Sequence, residues 1–195
     1  ESLDVRISAG EIGFVAQNPE EQIVTDKVWH ELAFGLENLG VAQSDIRRRV
    51  GEMASYFGIQ DWYHRNTDAL SGGQKQLLNL AAVMVMQPRL LLLDEPTGQL
   101  DPIAAADFIA TLQKLNRELG LTIVLAEHRL EEVFPIADQV IAMDRGRILT
   151  AAPPRPAAAA LKGHPLSLGL PSACRIWNGL EAPEPCPLTV KEGRS

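Results

Sequence analysis

An α/β fold built on a parallel sheet is what the sequence predicts, and three observations predict it. Apolar runs of strand length recur at 90–94 (LLLLD), 121–128 (LTIVLAEH) and 139–144 (QVIAMD), nearly unbroken by polar residues, as in strands covered on both faces of a parallel sheet. Segments of helical period separate them, so the order is strand, helix, strand, short helix, strand, with right-handed crossovers. Composition is the third: 46% apolar residues over 195 positions suffice for a buried core and exclude a chain disordered throughout.

Taken in order, EIGFVAQ at 11–17 is a β-branched and aromatic run that stops at Asn18-Pro19, which predicts a strand followed by a loop. From 25 to 60 the period becomes helical. Val28, Leu32 and Leu36 share one face, and a second helix around 45–57 aligns Ile46, Val50, Met53 and Phe57, which together predict a small helical insert. Ser71 can cap a helix over 72–86 with Leu77, Leu80, Ala81 and Met84 on its inner stripe, and Pro88 marks its end. The helix expected over 103–119 is closed by Gly120, and a short one is expected over 130–137. Beyond residue 150 the composition changes. Eight of the 13 prolines (153, 154, 156, 165, 171, 183, 185 and 187) lie there with an alanine run at 157–160, which predicts an extended linker or tail over 151–195.

Charge and cysteine usage narrow the class of partner. A formal charge of −7 argues against nucleic acid as a partner held through its phosphate backbone. The local Arg47-Arg48-Arg49 patch follows Asp45 on a predicted helix and is expected to be a solvated face. Cys174 and Cys186 have neither a second pair nor a histidine at metal spacing, so reduced and structurally neutral thiols are expected. The longest apolar stretch, 77–86, is interrupted by Asn79, and no charged-then-apolar leader is visible. A soluble cytosolic chain is expected unless another subunit holds it at a membrane.

Two short stretches carry chemistry. LSGGQ at 70–74 puts Gly72 and Gly73 at a helix start, where backbone N–H groups can meet a phosphate with no Cβ in the way. LLLLDEP at 90–96 puts Asp94 and Glu95 just past the carboxyl end of a strand, where open α/β sheets place their ligands. There Asp94 would hold Mg²⁺ and Glu95 would orient and deprotonate an attacking water.

These stretches, in this order, resemble the ATP-binding subunits of ABC transporters, a P-loop NTPase-like family. LSGGQ is similar to the family's signature motif, LLLLDEP to its Walker B segment, Gly98-Gln99-Leu100-Asp101 to its D-loop, Gln17 to its Q-loop glutamine and His128 to its switch histidine. The resemblance covers about residues 12–150. It implies ATP and Mg²⁺ as cofactors, Glu95, His128 and Gln17 as catalytic residues, and Asp94 and Gln17 as metal-binding residues. Ser71, Gly72, Gly73, Gln74 and Asp101 are then nucleotide-binding. His128 would contact the γ-phosphate, and Asp101 would link two nucleotide sites. QNPEEQIVTDKVWHELAFGLENLG and AEHRLEEVFPIADQVIAMDRGRI resemble the ATPases of energy-coupling-factor transporters, which import vitamins and metal ions. The tail LGLPSACRIWNGLEAPEPCPLTVKEGR resembles the connector of versions with two fused ATPase domains. The implied partners are a second ABC ATPase domain, in a homodimer, a heterodimer or one chain, and a transmembrane coupling subunit. The implied location is peripheral, at the cytoplasmic face of the cell membrane.

One family element has no match. The phosphate loop requires Gly-Lys followed by Ser or Thr, yet the five lysines at 27, 75, 114, 162 and 191 follow Asp, Gln, Gln, Leu and Val. Gly35 and Gly40 have the loop's internal spacing, but Val41-Ala42 stands where Lys-Ser would be needed. Only residues 1–17 run up to the Q-loop glutamine. The expectation is therefore a partial ABC ATPase domain over 1–150, with a helical subdomain at about 25–87 and an N-terminal part missing. Such a chain, alone, is expected to hydrolyse no ATP, although it could lend Ser71, Gly72 and Gly73 to a partner's nucleotide. Two alternatives stand beside this importer ATPase: a DNA-repair or chromosome-type ABC ATPase, and a non-enzymatic remnant that pairs with an intact ATPase.

Overall fold

The computed structural model describes residues 10–180 and 185–194. The expectations that fall on residues 1–9, on Pro183 and its neighbours at 181–184, and on Ser195 lie outside the described residues. The chain divides into two compact units, 1–127 and 128–195.

The first unit is built on a parallel three-stranded sheet, ordered β1 (Ile12–Val15), β2 (Leu90–Asp94), β3 (Thr122–Ala126). Ile12 lies opposite Leu90 and Leu90 opposite Thr122, so all three carboxyl ends finish on one side. Between β1 and β2 come α1 (Pro19–Gln22), α2 (Val28–Asn38), α3 (Gln43–Tyr56) and α4 (Gly72–Val85). Between β2 and β3 runs α5 (Pro102–Leu119), ended by Gly120 in the left-handed conformation at φ 64°. The predicted insert is thus α2, α3 and α4, which share a core containing Val28, Leu32, Leu36, Ile46, Val50 and Leu78.

Helix α4 departs from the expected stripe. Leu77 is half-buried, whereas Gln76, Leu78, Asn79, Leu80 and Val85 are all buried along with Ala81 and Met84. The helix is enclosed because it packs against α2 and α3 on one side and against β1 on another. Gly13 records how tightly: a Cβ there would sit 2.3 Å from Val83 Cγ1. Glycine at 13 is what allows this approach.

Coverage on both faces of the sheet, expected from the apolar runs, is not what this unit shows. Leu91 and Leu93 are buried, but Ile12, Phe14 and Val124 on the alternate positions are 37%, 52% and 51% exposed. Alternation along a strand sends successive side chains to opposite faces. Among the described residues of this unit, helices cover one of them.

The second unit corrects two further expectations. The run at 139–144 does form β4 (Val140–Asp144), but it pairs antiparallel with β5 (Arg147–Ala152) and joins no parallel sheet. The cause is a two-residue turn at Arg145 and Gly146, both with positive φ (47° and 75°), which suits an antiparallel hairpin, whereas a parallel partner needs a crossover of a dozen residues or more. The proline- and alanine-rich stretch is not extended either. It folds into α7 (Pro154–Ala160) and α8 (Ser172–Gly179), following α6 (Leu130–Val133) and the hairpin. Proline in a helix's first turn sacrifices no bond, and alanine is the strongest helix former, so Pro154 and Pro156 ahead of the alanines at 157–160 favour a helix. Phe134, Ala158, Leu161, Leu170, Cys174 and Cys186 form this unit's core. Both cysteines are free, as expected, and buried. No helix among the described residues is long and apolar enough to cross a membrane.

Candidate functional site

The site is set by where β1 and β2 stop. Because these strands are parallel neighbours, the loops leaving Val15 and Asp94 emerge side by side. Gln17 follows the first strand and Glu95 the second, and Gln17 Nε2 donates to Glu95 Oε2 at 3.1 Å across 78 residues of sequence. Glu95 is held by its backbone as well. Its N–H donates to Ala126 O at 2.9 Å, and its carbonyl accepts from Gly98 N at 3.0 Å. Its φ is 45°, a left-handed value that costs a non-glycine residue on the order of 1–3 kcal/mol and is typical of functional positions. Gly98 completes the packing, since a Cβ there would lie 3.3 Å from both Gln17 Nε2 and Glu95 O.

Asp94, the last residue of β2, is exposed beside this pair. A hard divalent cation such as Mg²⁺ takes oxygen ligands, commonly one or two carboxylates with the remainder from phosphates and water. Asp94 and the Gln17 side chain offer a carboxylate and an amide oxygen, donor types that suit such an ion. Among the described residues no group of three or more His, Cys, Asp or Glu could enclose a metal by itself.

The serine-glycine turn sits at the head of α4. Ser71 Oγ accepts from Gln74 N at 3.3 Å, while Ser71 N donates to Gln74 Oε1 at 3.0 Å, a reciprocal capping box. Gly72 has open space where a Cβ would project, and at Gly73 a Cβ would come within 3.0 Å of the Ala104 side chain. The turn therefore abuts the first turn of α5, which Asp101 caps by accepting from Ile103 N and Ala104 N at 3.0 Å each. Gln74 and Asp101 thus carry capping bonds here. His128 opens the second unit and is exposed there, so it belongs to a different body from the other predicted residues.

Motif spacing missed the residues that tie these loops together. Gln76 Nε2 donates to Ala16 O at 3.1 Å and to Pro96 O at 3.0 Å. Asn79 Nδ2 donates to Pro19 O at 3.0 Å, and Lys75 Nζ meets Glu20 Oε1 at 2.6 Å. The ammonium of Lys75 holds the Glu20 carboxyl below the ordinary carboxylate value. Gln22 bonds both sides of the strand end, donating to Phe14 O and accepting from Ala16 N, each at 3.0 Å. Thr97 Oγ1 donates to Glu127 Oε1. Only Asn79 left a signal in the sequence, as an amide that interrupts the apolar run at 77–86; Gln76 follows Gln74 and Lys75, and nothing in that pattern marks it as buried.

Four likenesses to known proteins accompany this geometry. A family model described as ABC transporter matches residues 2–98. A putative ABC transporter ATP-binding protein of Bacillus anthracis is 50% identical over 100% of this chain and 35% of its own length, so the chain spans about a third of the first curated relatives it matches. An energy-coupling factor transporter ATP-binding protein EcfA1 of Symbiobacterium thermophilum is 40% identical over 92% of this chain and 63% of its own. Among solved structures, CbiO1 from Clostridium perfringens, described as part of the ABC transporter complex cbiONQ, superposes with a TM-score of 0.70 at 31% identity over 82% of this chain and 66% of that one.

Proposed function

The chain belongs, through residues 2–98, to the ABC transporter family, and on that premise we propose that it supplies part of a composite ATP site in an importer of the energy-coupling-factor class. The observation that carries this is the Gln17 to Glu95 contact at 3.1 Å, with Asp94 beside it, at the carboxyl ends of adjacent parallel strands. Likeness to the Symbiobacterium EcfA1 and to CbiO1 supports the class of importer.

In this proposal Glu95 is the general base. The Gln17 amide donates to its carboxylate, which orients the group that would take a proton from water attacking the γ-phosphoryl. Asp94 and Gln17 would hold Mg²⁺, which when bound neutralises charge developing on the phosphate oxygens. Ser71 and the N–H groups of Gly72 and Gly73 would meet a phosphate presented by a partner, at a helix start whose dipole favours an anion. Gln74 braces that turn through the capping box, and Asp101 does the same for the neighbouring helix.

No Gly-Lys pair occurs in the 195 residues. We therefore assign the phosphate-gripping loop to sequence or a partner outside them and expect negligible hydrolysis from the isolated chain. Docking on a transmembrane coupling subunit at the cytoplasmic face is the corresponding proposal for location. The insert α2, α3 and α4 is a compact helical bundle, which gives no support to a chromosome-type ATPase with a long coiled coil.

The test is ATP hydrolysis by an assembly in which this chain is joined by a phosphate-loop-bearing ATPase. Glu95→Gln keeps the acceptor for Gln17 but removes the base, and turnover at this chain's site is expected to fall about 10²- to 10⁴-fold. Turnover unaffected by the substitution, or turnover by the isolated chain that the substitution abolishes, would contradict the scheme.

A further inference from the structure

Helix α4 does more than present the serine-glycine turn. Gln76, on the helix's second turn, is 0% exposed. Its single amide nitrogen donates to two carbonyls on different loops, Ala16 O at 3.1 Å and Pro96 O at 3.0 Å. Ala16 immediately precedes Gln17, and Pro96 immediately follows Glu95. The two side chains that meet at 3.1 Å therefore hang from backbone positions fastened to one amide. Its neighbours reinforce the grip on the first loop, through Asn79 to Pro19 O at 3.0 Å and Lys75 to Glu20 at 2.6 Å.

The grip has a cost that an apolar residue would avoid. Gln76 Oε1 is buried and has no hydrogen-bond partner among the described residues, which leaves an acceptor desolvated. Leucine or methionine would fill the same space without that cost. The bidirectional donation is what the amide adds. It acts where tolerance is small, since a Cβ at Gly98 would already lie 3.3 Å from Gln17 Nε2.

We propose that Gln76 is a positioning residue, which sets the Gln17 and Glu95 pair by holding Ala16 and Pro96 together and ties that pair to any movement of the serine-glycine turn on the same helix. Its consequence for hydrolysis rests on the function proposed above. The positioning itself does not.

The two are tested separately. On the 195-residue chain, Gln76→Met and Gln76→Glu keep the side chain's size but remove the donors, the second when ionised. Hydrogen exchange is expected to quicken about tenfold or more at the amides of 16–18, 95, 97 and 98 in both variants, with the interiors of α2 and α3 unchanged. Unchanged exchange at those loops, or equal acceleration throughout the unit, would overturn the proposal by reducing Gln76 to an ordinary core residue. If neither variant folds, the unmodified chain decides. Scalar couplings from the Gln76 side-chain nitrogen to the carbonyl carbons of Ala16 and Pro96 are expected by NMR, and their absence overturns the proposal. In an ATP-hydrolysing assembly, Gln76→Met is expected to lower kcat about tenfold with KM for ATP nearly constant, because misplacement weakens the reacting geometry more than binding. An unmodified assembly that fails to hydrolyse ATP counts against the proposed function, and the exchange result still judges Gln76.

Discussion

At Glu95 the backbone takes φ 45° while its side chain is met by Gln17 from a loop 78 residues away. The position of Asp94 and Glu95 at a strand's end was legible, because the apolar run at 90–93 marks the strand that stops there. Their contact with Gln17 was not legible as geometry, because it depends on β1 pairing with β2, a choice made by packing over the whole unit. Gln76 was harder still. It stands in the polar run Gln74-Lys75-Gln76, so only the fold reveals that it is buried and which carbonyls its amide meets. The cysteines show the same limit: free thiols were predicted, but their place in one core beside each other was not. Burial, followed by the neighbouring Cys186 thiol, pushes the Cys174 thiol from the ordinary 9.0 up to about 12. Because the folded value lies above the unfolded one, this group's contribution to stability is complete below about pH 9 and is lost as pH rises through about 12. Unfolding measured against pH is expected to show an alkaline loss that Cys174→Ala reduces, and iodoacetamide is expected to label this thiol slowly near pH 8 until the chain is denatured.

Helices read well where their ends are chemically marked. Ser71 with Gln74 three residues later spells a capping box, and both reciprocal bonds are present at 3.3 and 3.0 Å. Ser71→Ala is expected to cost about 1 kcal/mol in urea unfolding of the first unit, with the slope unchanged, and no loss would show that the glycines hold the turn unaided. Gly120 closed α5 where its left-handed preference predicted. Strands read less well. An apolar run such as 139–144 specifies burial without specifying a partner, and the decisive residues were Arg145 and Gly146, whose turn sends the chain back as β5. Composition misled over 151–160, because prolines that stiffen a linker also suit a helix's first turn.

For the whole molecule, the class of fold followed from alternating strand and helix patterns, but the number of layers did not. Ile12, Phe14 and Val124 leave one sheet face substantially exposed among the described residues of the first unit. The division at 127 and 128 separates His128 from Gln17, Glu95 and Ser71, a boundary no composition shift announced. What unites the first unit is α4, whose start carries Ser71, Gly72 and Gly73 and whose flank holds the loops of Gln17 and Glu95. Under the function proposed above, this turn closes on a triphosphate gripped by another polypeptide segment. Sedimentation velocity of the 195-residue chain, mixed with an ABC ATPase that has its own phosphate loop but lacks its catalytic base, reads out that closure. A heterodimer is expected only when MgATP is present, abolished by Gly72→Val, whose added Cβ would project into open space and so leave the fold intact. Absence of any nucleotide-dependent association, or association that Gly72→Val leaves untouched, would contradict it.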